Sequence, residues 1–296
     1  MVSLTLRHSQ GDLLPEWQPG AHVELLLDDG LARTYSLCGD PADRTAWHIA
    51  VLRTADSRGG SAYVHDELHP GVRLDVRGLR NNFPLQPASR SLFVAGGIGI
   101  TPLLPMAAAA QAQGAERHLL YGGRSRTSMA FTDRLAAYGP RVMFRPQDEH
   151  GHPDLDAFLG EPDEDTLVYC CGPEPLLAAV EERCRVWRDG ALQTERFRAQ
   201  KQQPCAPGPS FEVVCADSGV TVQVPPEHSV LSAVRAAGVD VPFSCAEGIC
   251  GTCETEVLEG EPDHRDSFLS AGDRESGETM LICVSRTLGP RLVLDL

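Results

Sequence analysis

The sequence has little positive charge and no segment that marks a chain for export or membrane insertion. Its 26 lysine and arginine residues face 41 aspartate and glutamate residues, and the formal net charge of −15 argues against nucleic acid or an anionic membrane as the main partner. No basic N-terminal region precedes an apolar one, so no secretory signal is visible. The uncharged stretch Leu92–Ala110 contains three glycines and two prolines, which favours a buried strand, a glycine turn and a helix start over a transmembrane helix.

Length and composition exclude a disordered chain and a single ordinary core. With 296 residues, of which 42% are apolar and 23% charged, the sequence predicts a globular protein of two or three domains. Ten cysteines without an export signal predict a reducing compartment, so we expect a cytoplasmic protein. We also expect a monomer.

The acidic residues are concentrated in the last third of the chain. From Phe211 onward, 15 acidic residues outnumber five basic ones. Such a surface either steers a partner that has a basic docking face, or is a solvated face that aids solubility. The sequence leaves both interpretations open.

Four cysteines near the C-terminus form the most specific pattern in the chain. Cys245, Cys250 and Cys253 have the spacing C-x4-C-x2-C, and Cys283 follows later. This is the plant-type ferredoxin spacing for a two-iron, two-sulfur (2Fe-2S) cluster. Two glycines in the loop let the backbone wrap closely and point N–H groups at sulfur. A zinc site usually has two separated C-x2-C pairs or nearby histidines, and a disulfide framework is typical of small secreted domains.

Residues 1–88 predict an antiparallel β-barrel. Short apolar segments alternate with turns, with little helical periodicity. The tight-turn sequence Asp28-Asp29-Gly30 separates the first two segments. The predicted strands are Ala21–Leu27, Arg33–Cys38, His48–Leu52 and Val72–Arg77.

Two sites in this region carry the groups that a flavin needs. Arg33-Thr34-Tyr35-Ser36 offers a cation, two hydroxyls and an aromatic ring on one extended segment. Arg58-Gly59-Gly60-Ser61 precedes a segment with helical apolar spacing and can form a phosphate cradle from backbone N–H groups. Each site also has a simpler interpretation, namely a cross-strand tyrosine on a half-buried sheet and a helix capped by Ser61.

Residues 89–199 predict an α/β domain with a parallel sheet, because apolar strands alternate with helical segments. Helices are expected to begin at Pro102, around Ser128, at Asp154 and at Pro175. The predicted strands are Leu92–Ala95, His118–Tyr121, Arg141–Arg145, Leu167–Cys171 and Ala191–Glu195.

Candidate nucleotide-binding residues follow three of these strands. The turn Gly96-Gly97-Ile98-Gly99-Ile100-Thr101-Pro102 lets a pyrophosphate approach the backbone, with Thr101 as a helix cap and Pro102 in the first helical position, although it is not a G-x-G-x-x-G fingerprint. Cys171 follows the fourth strand and either fills space as a small apolar residue or packs beside a nicotinamide ring. Arg124-Ser125-Arg126 follows the second strand without an acidic partner for a ribose hydroxyl, and can accept a 2′-phosphate.

The remainder of the chain predicts a linker and a ferredoxin domain. Residues 200–210 are polar and rich in proline and glycine, which is typical of a linker. Residues 211–296 have the element order of a β-grasp ferredoxin. The predicted elements are the strands Glu212–Ala216, Val220–Val224, Glu254–Glu259, Met280–Val284 and Arg291–Leu294, with a helix over Ser229–Ala237.

Taken in order, these patterns resemble the phthalate dioxygenase reductase family, which includes vanillate O-demethylase reductases. They are also similar to the reductase module of self-sufficient cytochrome P450 fusions. The resemblance runs almost from end to end. Beside the four cysteines, the motifs that carry it are Arg33-Thr34-Tyr35-Ser36-Leu37-Cys38, Ser57-Arg58-Gly59-Gly60-Ser61, Asn82-Phe83-Pro84-Leu85, Ala95-Gly96-Gly97-Ile98-Gly99-Ile100-Thr101-Pro102, Cys171-Gly172-Pro173 and Asp263-His264-Arg265-Asp266.

The resemblance implies an NAD(P)H-dependent oxidoreductase in which hydride passes from NADH or NADPH to FMN, and single electrons then pass through a 2Fe-2S cluster to an oxygenase. No catalytic acid or base is implied, because the cofactors carry the chemistry. Glu195 and Phe197 are implied to lie near the flavin, with Phe197 against its ring. The implied binding residues are Arg33, Thr34, Tyr35, Ser36, Ala50, Val51, Leu52, Gly59, Gly60 and Ser61 for FMN, Gly96, Gly97, Gly99, Thr101, Cys171, Gly172 and Pro173 for the nucleotide, and Cys245, Cys250, Cys253 and Cys283 for the cluster.

Two features depart from the family pattern. Members usually have a first barrel strand ahead of the point where Met1-Val2-Ser3-Leu4 enters, so about fifteen residues that would close the barrel are expected to be missing. An open barrel edge would weaken flavin retention. Members also carry a histidine where this chain has Gln193.

Three function classes follow for the whole chain. An electron donor to a Rieske-type oxygenase or demethylase is favoured for a stand-alone chain, and a cytochrome P450 is the alternative partner. If the short N-terminus prevents FMN binding, the function is that of a ferredoxin-type electron carrier. A flavin oxygenase that acts directly on substrate is disfavoured, because it would not need a cluster.

Overall fold

The structure, a computed structural model, describes residues 1–27, 31–54, 59–199 and 208–296. Contacts divide the chain into two compact units, Met1–Arg196 and Phe197–Leu296. The predicted turn at 28–30, Arg58 of the predicted phosphate cradle and most of the predicted linker lie outside the described residues.

The first part of the N-terminal unit is antiparallel, as predicted. Its elements are the strands β1 (Val2–Leu6), β2 (His22–Leu26), β3 (Ala32–Ser36), β4 (Trp47–Val51) and β5 (Asp75–Arg80), with helix α1 (Gly60–Asp66) between β4 and β5. Strand β1 pairs with β4, and β2 pairs with both β3 and β5. A bridge between Leu37 and Ile49 joins the two sheets, so the spatial order is β1-β4-β3-β2-β5. Alternating apolar residues such as Val23 and Leu25 are fully buried, which is the period of a half-buried strand.

One predicted strand start and one alternative interpretation in this part were wrong. The last strand begins at Asp75 and not at Val72, because Pro70 and Gly71 form a turn in which the Val72 N–H donates to the His69 carbonyl at 3.2 Å. Helix α1 begins one residue before Ser61, so Ser61 is inside the helix and does not cap it.

The second part of the same unit is a parallel sheet with helices, as predicted. The strands are β6 (Arg90–Gly96), β7 (Glu116–Gly123), β8 (Val142–Pro146), β9 (Thr166–Cys171) and β10 (Leu192–Glu195), and the helices are α2 (Ile100–Ala112), α3 (Thr132–Ala136), α4 (Gln147–His150), α5 (Leu155–Leu159) and α6 (Glu174–Cys184). The strand order is β10-β9-β6-β7-β8. Because the order reverses beside β6, the carboxyl ends of β6 and β9 border the crevice where ligands of such sheets bind.

The buried strands explain why the parallel sheet forms. All six residues of β9 and six of the seven in β6 are buried, as expected for strands covered on both faces. The rings of Phe93 and Tyr169 stack at 5.4 Å across these strands.

Two helices of this part differ from the sequence prediction. The helix predicted around Ser128 begins at Thr132 after a short 3₁₀ turn, and α4 has no counterpart in the sequence prediction.

The C-terminal unit is a mixed sheet crossed by a helix, the predicted β-grasp arrangement. Its elements are β11 (Phe211–Cys215), β12 (Val220–Val224), α7 (Val230–Ala236), β13 (Glu254–Glu259), β14 (Pro262–Asp263), α8 (Ala271–Ser276), β15 (Thr279–Leu281), β16 (Arg286–Thr287) and β17 (Arg291–Leu294). The main sheet has the order β12-β11-β17-β13-β15, in which only β11 and β17 are parallel. The Ser229 hydroxyl caps α7 by accepting the Ser232 N–H at 3.1 Å. Among the described residues, no helix has the length and apolar character needed to cross a membrane.

Candidate cofactor-binding sites

The four predicted cluster cysteines come together at one end of the C-terminal unit. Cys245, Cys250 and Cys253 lie on the loop between α7 and β13, and Cys283 follows β15. Cys250, Cys253 and Cys283 are at most 7% exposed, whereas Cys245 is half-buried. The fold therefore places three sulfurs from one loop against a fourth from a distant strand end.

The sulfurs are arranged as two pairs. The thiol of Cys245 donates to Cys250, which lowers the pKa of Cys250 to about 4 and raises that of Cys245. The thiol of Cys283 donates to Cys253 in the same way, which lowers the pKa of Cys253 and raises that of Cys283. Charge interactions also join Cys250 to Cys253 and Cys245 to Cys283. The four thiols are therefore close enough to shift one another's pKa values.

The loop backbone is wound so that N–H groups and a hydroxyl reach the sulfurs. The Glu247 N–H donates to Cys245 Sγ at 3.3 Å, and Thr252 Oγ1 lies 3.2 Å from Cys250 Sγ. Ala246 has a left-handed φ of 53°, which is uncommon for a residue with a side chain. Hydrogen bonds of this kind are the means by which a protein tunes a cluster.

Gly251 cannot be replaced without moving its surroundings. It has a φ of 70°, and a Cβ atom there would lie 2.5 Å from Cζ of Phe268. Both the backbone conformation and the ring beside it require glycine. The predicted role of a glycine in the wrapped loop is consistent with this geometry.

The donor set fits a two-iron cluster. A zinc site needs three or four ligands around one ion. A 2Fe-2S cluster instead needs four thiolates shared between two irons. Cys245 with Cys250, and Cys253 with Cys283, supply two sulfur pairs of that kind.

Asp266 stabilises the segment that is hydrogen-bonded to the cysteine loop, a role that the sequence prediction did not assign. Its Oδ2 accepts the N–H groups of Phe268 at 2.9 Å and Leu269 at 2.7 Å, and the next residue, Ser267, donates its N–H to the Gly248 carbonyl at 2.8 Å. Asp266 is 3% exposed. The motif Asp263-His264-Arg265-Asp266 contained this residue, but spacing alone does not show that its carboxylate folds back onto the chain.

In the N-terminal unit, the two predicted nucleotide-binding turns face each other at the β6–β9 crevice. Ala95 and Cys171 are register partners in the parallel pair. A Cβ atom on Gly96 would lie 2.5 Å from Cδ of Pro173, and one on Gly99 would lie 2.2 Å from the Cys171 carbonyl oxygen. Only glycine permits this approach of the two turns. Gly97 and Gly172 lie on the same turns, so the structure brings these predicted residues together.

The turn after β6 differs from its prediction in one respect. Helix α2 begins at Ile100 after a 3₁₀ turn over Gly97–Gly99, so Thr101 is inside the helix. Its hydroxyl donates to the Ile98 carbonyl at 3.0 Å and therefore does not cap the helix. Pro102 consequently occupies the third helical position and not the first. The prediction was wrong because a sequence does not show where a 3₁₀ turn passes into an α-helix.

Tyr121 fixes this turn and was not identified from the sequence. Its hydroxyl donates to the Gly97 carbonyl at 3.0 Å and accepts the Ala130 N–H at 2.9 Å. Burial raises the pKa of Tyr121 to about 12, against a smaller opposite effect of the Ala130 N–H. A buried tyrosine at a strand end was the available signal, because its hydroxyl requires a partner.

Glu195 connects the nucleotide crevice to the predicted flavin strand. Ser36 Oγ donates to Glu195 Oε2 at 3.4 Å, and Cys171 Sγ lies 4.0 Å from the same oxygen. Burial raises the pKa of Glu195 to about 8, and the Ser36 hydrogen bond acts in the opposite direction. Burial also raises the pKa of Cys171 well above its usual range, so this thiol is not a reactive thiolate.

The two predicted flavin segments lie side by side. A Cβ atom on Gly60 would lie 2.6 Å from Cγ of Arg33, so the arginine stem runs across the start of α1. Tyr35 is half-buried, and burial raises its pKa to about 12, against a smaller effect of Arg33. Ser61 Oγ lies 3.3 Å from both the backbone nitrogen and Oγ1 of Thr54. The other predicted flavin residues are placed around these as Thr34 on β3, Ala50 and Val51 buried on β4, Leu52 directly after β4, and Gly59 before α1.

Sequence comparisons identify two domain families. The family described as "Oxidoreductase NAD-binding domain" matches residues 93–182, and the family described as "2Fe-2S iron-sulfur cluster binding domain" matches residues 213–288. Phenoxybenzoate dioxygenase subunit beta of Ectopseudomonas oleovorans is 43% identical over 98% of this chain and 91% of its own. Phthalate dioxygenase reductase of Burkholderia cepacia is 37% identical over 99% of this chain and 92% of its own.

This chain belongs to the phthalate dioxygenase reductase family. It is therefore an NAD(P)H-dependent oxidoreductase of the oxygenase-reductase class, in which a flavin and a 2Fe-2S cluster carry electrons to an oxygenase. The predicted fold class, function class and cofactors are confirmed.

Among the solved structures that resemble this reductase over 99% of its length are a phthalate dioxygenase reductase and a cytochrome P450 fusion. A phthalate dioxygenase reductase, described as modular for electron transfer from pyridine nucleotides to [2Fe-2S], has a TM-score of 0.71 at 36% identity and is covered over 92% of its chain. An intact type IV self-sufficient cytochrome P450 monooxygenase has a TM-score of 0.91 at 47% identity. The reductase spans 39% of that longer chain.

Phe197 is a further predicted site residue of this reductase. It follows Glu195 by two positions, begins the second unit and is 39% exposed. An exposed aromatic ring at this position has the chemical character needed to lie against a flavin. Its contact with the flavin stays a prediction.

Proposed function

We propose that this reductase binds the nicotinamide ring at the β6–β9 crevice and the flavin ring beside β3, with Glu195 between them. The observation that carries the proposal is the contact of one carboxylate oxygen with both Ser36 and Cys171. Ser36 belongs to the predicted flavin segment and Cys171 to the predicted nucleotide turn. One oxygen therefore links the two binding segments at hydrogen-bond and van der Waals distances.

For FMN, the proposed residues divide by chemistry. Arg33 and the backbone N–H groups at Gly59, Gly60 and Ser61 suit a phosphate, because a cation and N–H groups at the start of a helix favour an anion. Tyr35 offers a half-buried ring to the flavin ring. The hydroxyls of Thr34 and Ser36 and the β4 segment Ala50-Val51-Leu52 suit the polar edge of the ring system.

For the nucleotide, Gly96 and Gly99 let the two turns pack closely, and Gly97 between them has nothing within 4 Å of a Cβ position, which suits the approach of a pyrophosphate at a strand end. The Thr101 hydroxyl stabilises the turn by donating its proton to the Ile98 carbonyl, so that proton is not offered to the ligand. Gly172 and Pro173 continue from Cys171 as the proposed nicotinamide contacts. Arg124, Ser125 and Arg126 lie at the end of β7 as the proposed contacts of the adenosine ribose.

For the cluster, Cys245, Cys250, Cys253 and Cys283 are the proposed ligands. When bound, FMN converts the two-electron supply of NAD(P)H into single-electron steps that the cluster relays. The chain contributes positioning, burial of three of the four sulfurs, and N–H groups directed at sulfur. The low exposure of these cysteines keeps water away from the cluster, which is one means of tuning its potential.

The proposed electron acceptor is a Rieske-type oxygenase or demethylase. Support comes from the phthalate dioxygenase reductase and phenoxybenzoate dioxygenase subunit, which match a chain of this length almost from end to end. A cytochrome P450 is the second candidate, supported by the 47% identity to the reductase part of a P450 fusion. The acidic C-terminal unit suits either acceptor if its docking face is basic.

The proposed domain boundaries are 1–88 for the flavin domain, 89–199 for the nucleotide domain, 200–210 for the linker and 211–296 for the ferredoxin domain. The two family matches, at 93–182 and 213–288, fall inside the second and fourth of these ranges. A cytoplasmic location is also proposed. It is supported by the absence of disulfides among the nine cysteines in the described part of the chain.

Cofactor analysis joined to two electron acceptors tests the proposal. The purified protein should contain FMN, iron and acid-labile sulfide, and anaerobic NADH should bleach both flavin and cluster absorbance. Ferricyanide reduction requires the flavin, whereas cytochrome c reduction is expected to require the cluster as well. Iron without flavin would reject the reductase and favour the ferredoxin-type carrier.

The choice of acceptor needs a separate experiment. Purified vanillate demethylase oxygenase and an isolated P450 haem domain are supplied with NADH and this reductase, and product formation is measured for each. A higher kcat/KM for the Rieske component supports the proposed acceptor. The reverse order would replace it with the P450.

A further inference from the structure

The carboxyl ends of β7 and β8 place acidic residues beside the proposed adenosine-ribose contacts. Gly123 and Pro146 are register partners, so the residues that follow them share one edge of the sheet. Arg124 begins the segment after β7, and α4 begins directly after β8. The Asp148 N–H donates to the Arg124 carbonyl at 3.2 Å, which ties the two segments together.

Glu149 of α4 forms an ion pair with Arg126, one of the cations that a 2′-phosphate would contact. Glu149 Oε1 lies 3.5 Å from Nε of Arg126, and the Arg126 guanidinium lies 6.0 Å from the centre of the Phe144 ring. Both charged side chains are about half exposed, so the pair adds little to the stability of the fold. Its consequence is electrostatic, because it places a negative charge against Arg126.

The hydroxyl of Ser125 is also engaged within its own turn. Ser125 N–H donates to Ser128 Oγ at 3.1 Å, and Ser125 Oγ lies 3.0 Å from Oγ1 of Thr127. A 2′-phosphate that used both Ser125 and Arg126 would therefore have to replace contacts that the chain already makes. Arg124 and Arg145 remain nearby as further cations at the same edge.

We propose that Glu149 is a specificity-determining residue that disfavours NADPH relative to NADH. A 2′-phosphate carries a charge of nearly −2 at neutral pH. Brought to Arg126, it would be repelled by the Glu149 carboxylate and would compete with it for the same guanidinium. NADH carries a 2′-hydroxyl in that place, and this hydroxyl can donate a hydrogen bond to a carboxylate. The inference rests on the proposed nucleotide site at the carboxyl ends of the parallel strands.

The test measures kcat/KM for NADH and NADPH with ferricyanide as acceptor, using the holoenzyme. Glu149→Gln should raise the NADPH/NADH ratio by about three- to tenfold, because the pair is exposed and its charges are screened. Raising the salt concentration should shrink this shift, which a purely structural effect would not do. The kcat for NADH shows that the variant is folded and loaded.

A double-mutant cycle identifies the partner of Glu149. Arg126→Gln in the Glu149→Gln background should remove most of the gain with NADPH, because the released guanidinium is what attracts the phosphate. Asp148→Asn is the matched control, since it removes the same charge one residue away on the same helix. It should shift the ratio by less than twofold.

The outcomes separate the two proposals. An unchanged ratio in Glu149→Gln, with normal turnover of NADH, overturns the role of Glu149 and leaves the reductase function intact. An equal shift in Asp148→Asn also overturns it, because the effect would then be the general field of α4. If NADH reduces neither flavin nor cluster in the wild type, the proposed reductase function fails, and the specificity inference fails with it.

Discussion

Ser36 Oγ donates a hydrogen bond to Glu195 Oε2 at 3.4 Å, although 159 positions separate the two residues. Ser36 ends the antiparallel strand β3, and Glu195 ends the parallel strand β10. The bond joins the two parts of the N-terminal unit at the place where a nicotinamide and a flavin are proposed to meet. Glu195 is half-buried there, and this burial raises the pKa of its carboxyl to about 8.

The stability of the protein should depend on the protonation of Glu195. Its pKa is about 8 in the folded state and 4.5 ordinarily, so the folded state binds the proton more tightly. This contribution is fully present below about pH 4.5 and is lost as the pH rises towards 8. We expect the Tm of the wild type, measured relative to that of Glu195→Gln, to fall across this interval and then to level off.

The variant Ser36→Ala tests whether the pH dependence arises from the Glu195 carboxyl. The Ser36 hydrogen bond favours the charged carboxylate, so Ser36→Ala should move the upper end of the interval to higher pH. A Tm difference between wild type and Glu195→Gln that stays constant from pH 4.5 to 8 would contradict the raised pKa.

Gly251→Ala should weaken cluster binding. The added Cβ would lie 2.5 Å from the Phe268 ring at a left-handed φ, so both the ring and the loop must move. We expect iron and acid-labile sulfide per chain to fall severalfold. Gly219→Ala is the matched control, because Gly219 has a φ of 67° in the same unit with nothing within 4 Å. It should cost about 1 kcal/mol of stability and keep its iron; equal iron loss in both variants would point to backbone strain alone.

Cys253→Ser should lower the reduction of cytochrome c without lowering the reduction of ferricyanide. Removing a cluster ligand blocks the exit of electrons through the cluster but leaves the N-terminal unit unchanged. NADH-dependent cytochrome c reduction should fall at least tenfold, whereas ferricyanide reduction should stay within twofold. Cys215→Ala serves as the control, since Cys215 is a buried cysteine on β11 of the same unit and is not one of the four proposed cluster ligands. A parallel loss of both activities in Cys253→Ser would mean that the cluster is not the exit.

Arg196→Gln should destabilise the N-terminal unit. Arg196 is 9% exposed in its side chain, and it contacts Glu174 Oε2 at 3.2 Å and Glu181 Oε1 at 2.5 Å, both on α6. Removing the cation leaves two carboxylates without their shared partner, at a cost of about 2–3 kcal/mol in the free energy of unfolding. Arg185→Gln breaks an exposed pair at the end of the same helix and should cost under about 0.5 kcal/mol. Denaturant unfolding of the holoenzyme measures both, and similar costs would show that the buried position of Arg196 contributes nothing.

The parts of the protein whose chemistry is local could be predicted from the sequence. The C-x4-C-x2-C spacing requires three sulfurs on one short loop whatever the rest of the chain does, and the structure places all four cysteines together. Strands β12, β13 and β17 have the predicted bounds, because runs of alternating or continuous apolar residues end at turns that the sequence also specifies.

Contacts between residues that are distant in the sequence depend on the three-dimensional fold. The sequence positions of Ser36 and Cys171 do not predict that both contact one carboxylate oxygen of Glu195. In the same way, the sequence around Arg126 does not indicate that Glu149 lies beside it. Such contacts depend on how parallel strands align at one edge of a sheet, and that alignment arises from the packing of whole strands. Local turns such as the one before α2 were also beyond the sequence, because 3₁₀ and α-helical starts differ by less free energy than the packing that selects between them.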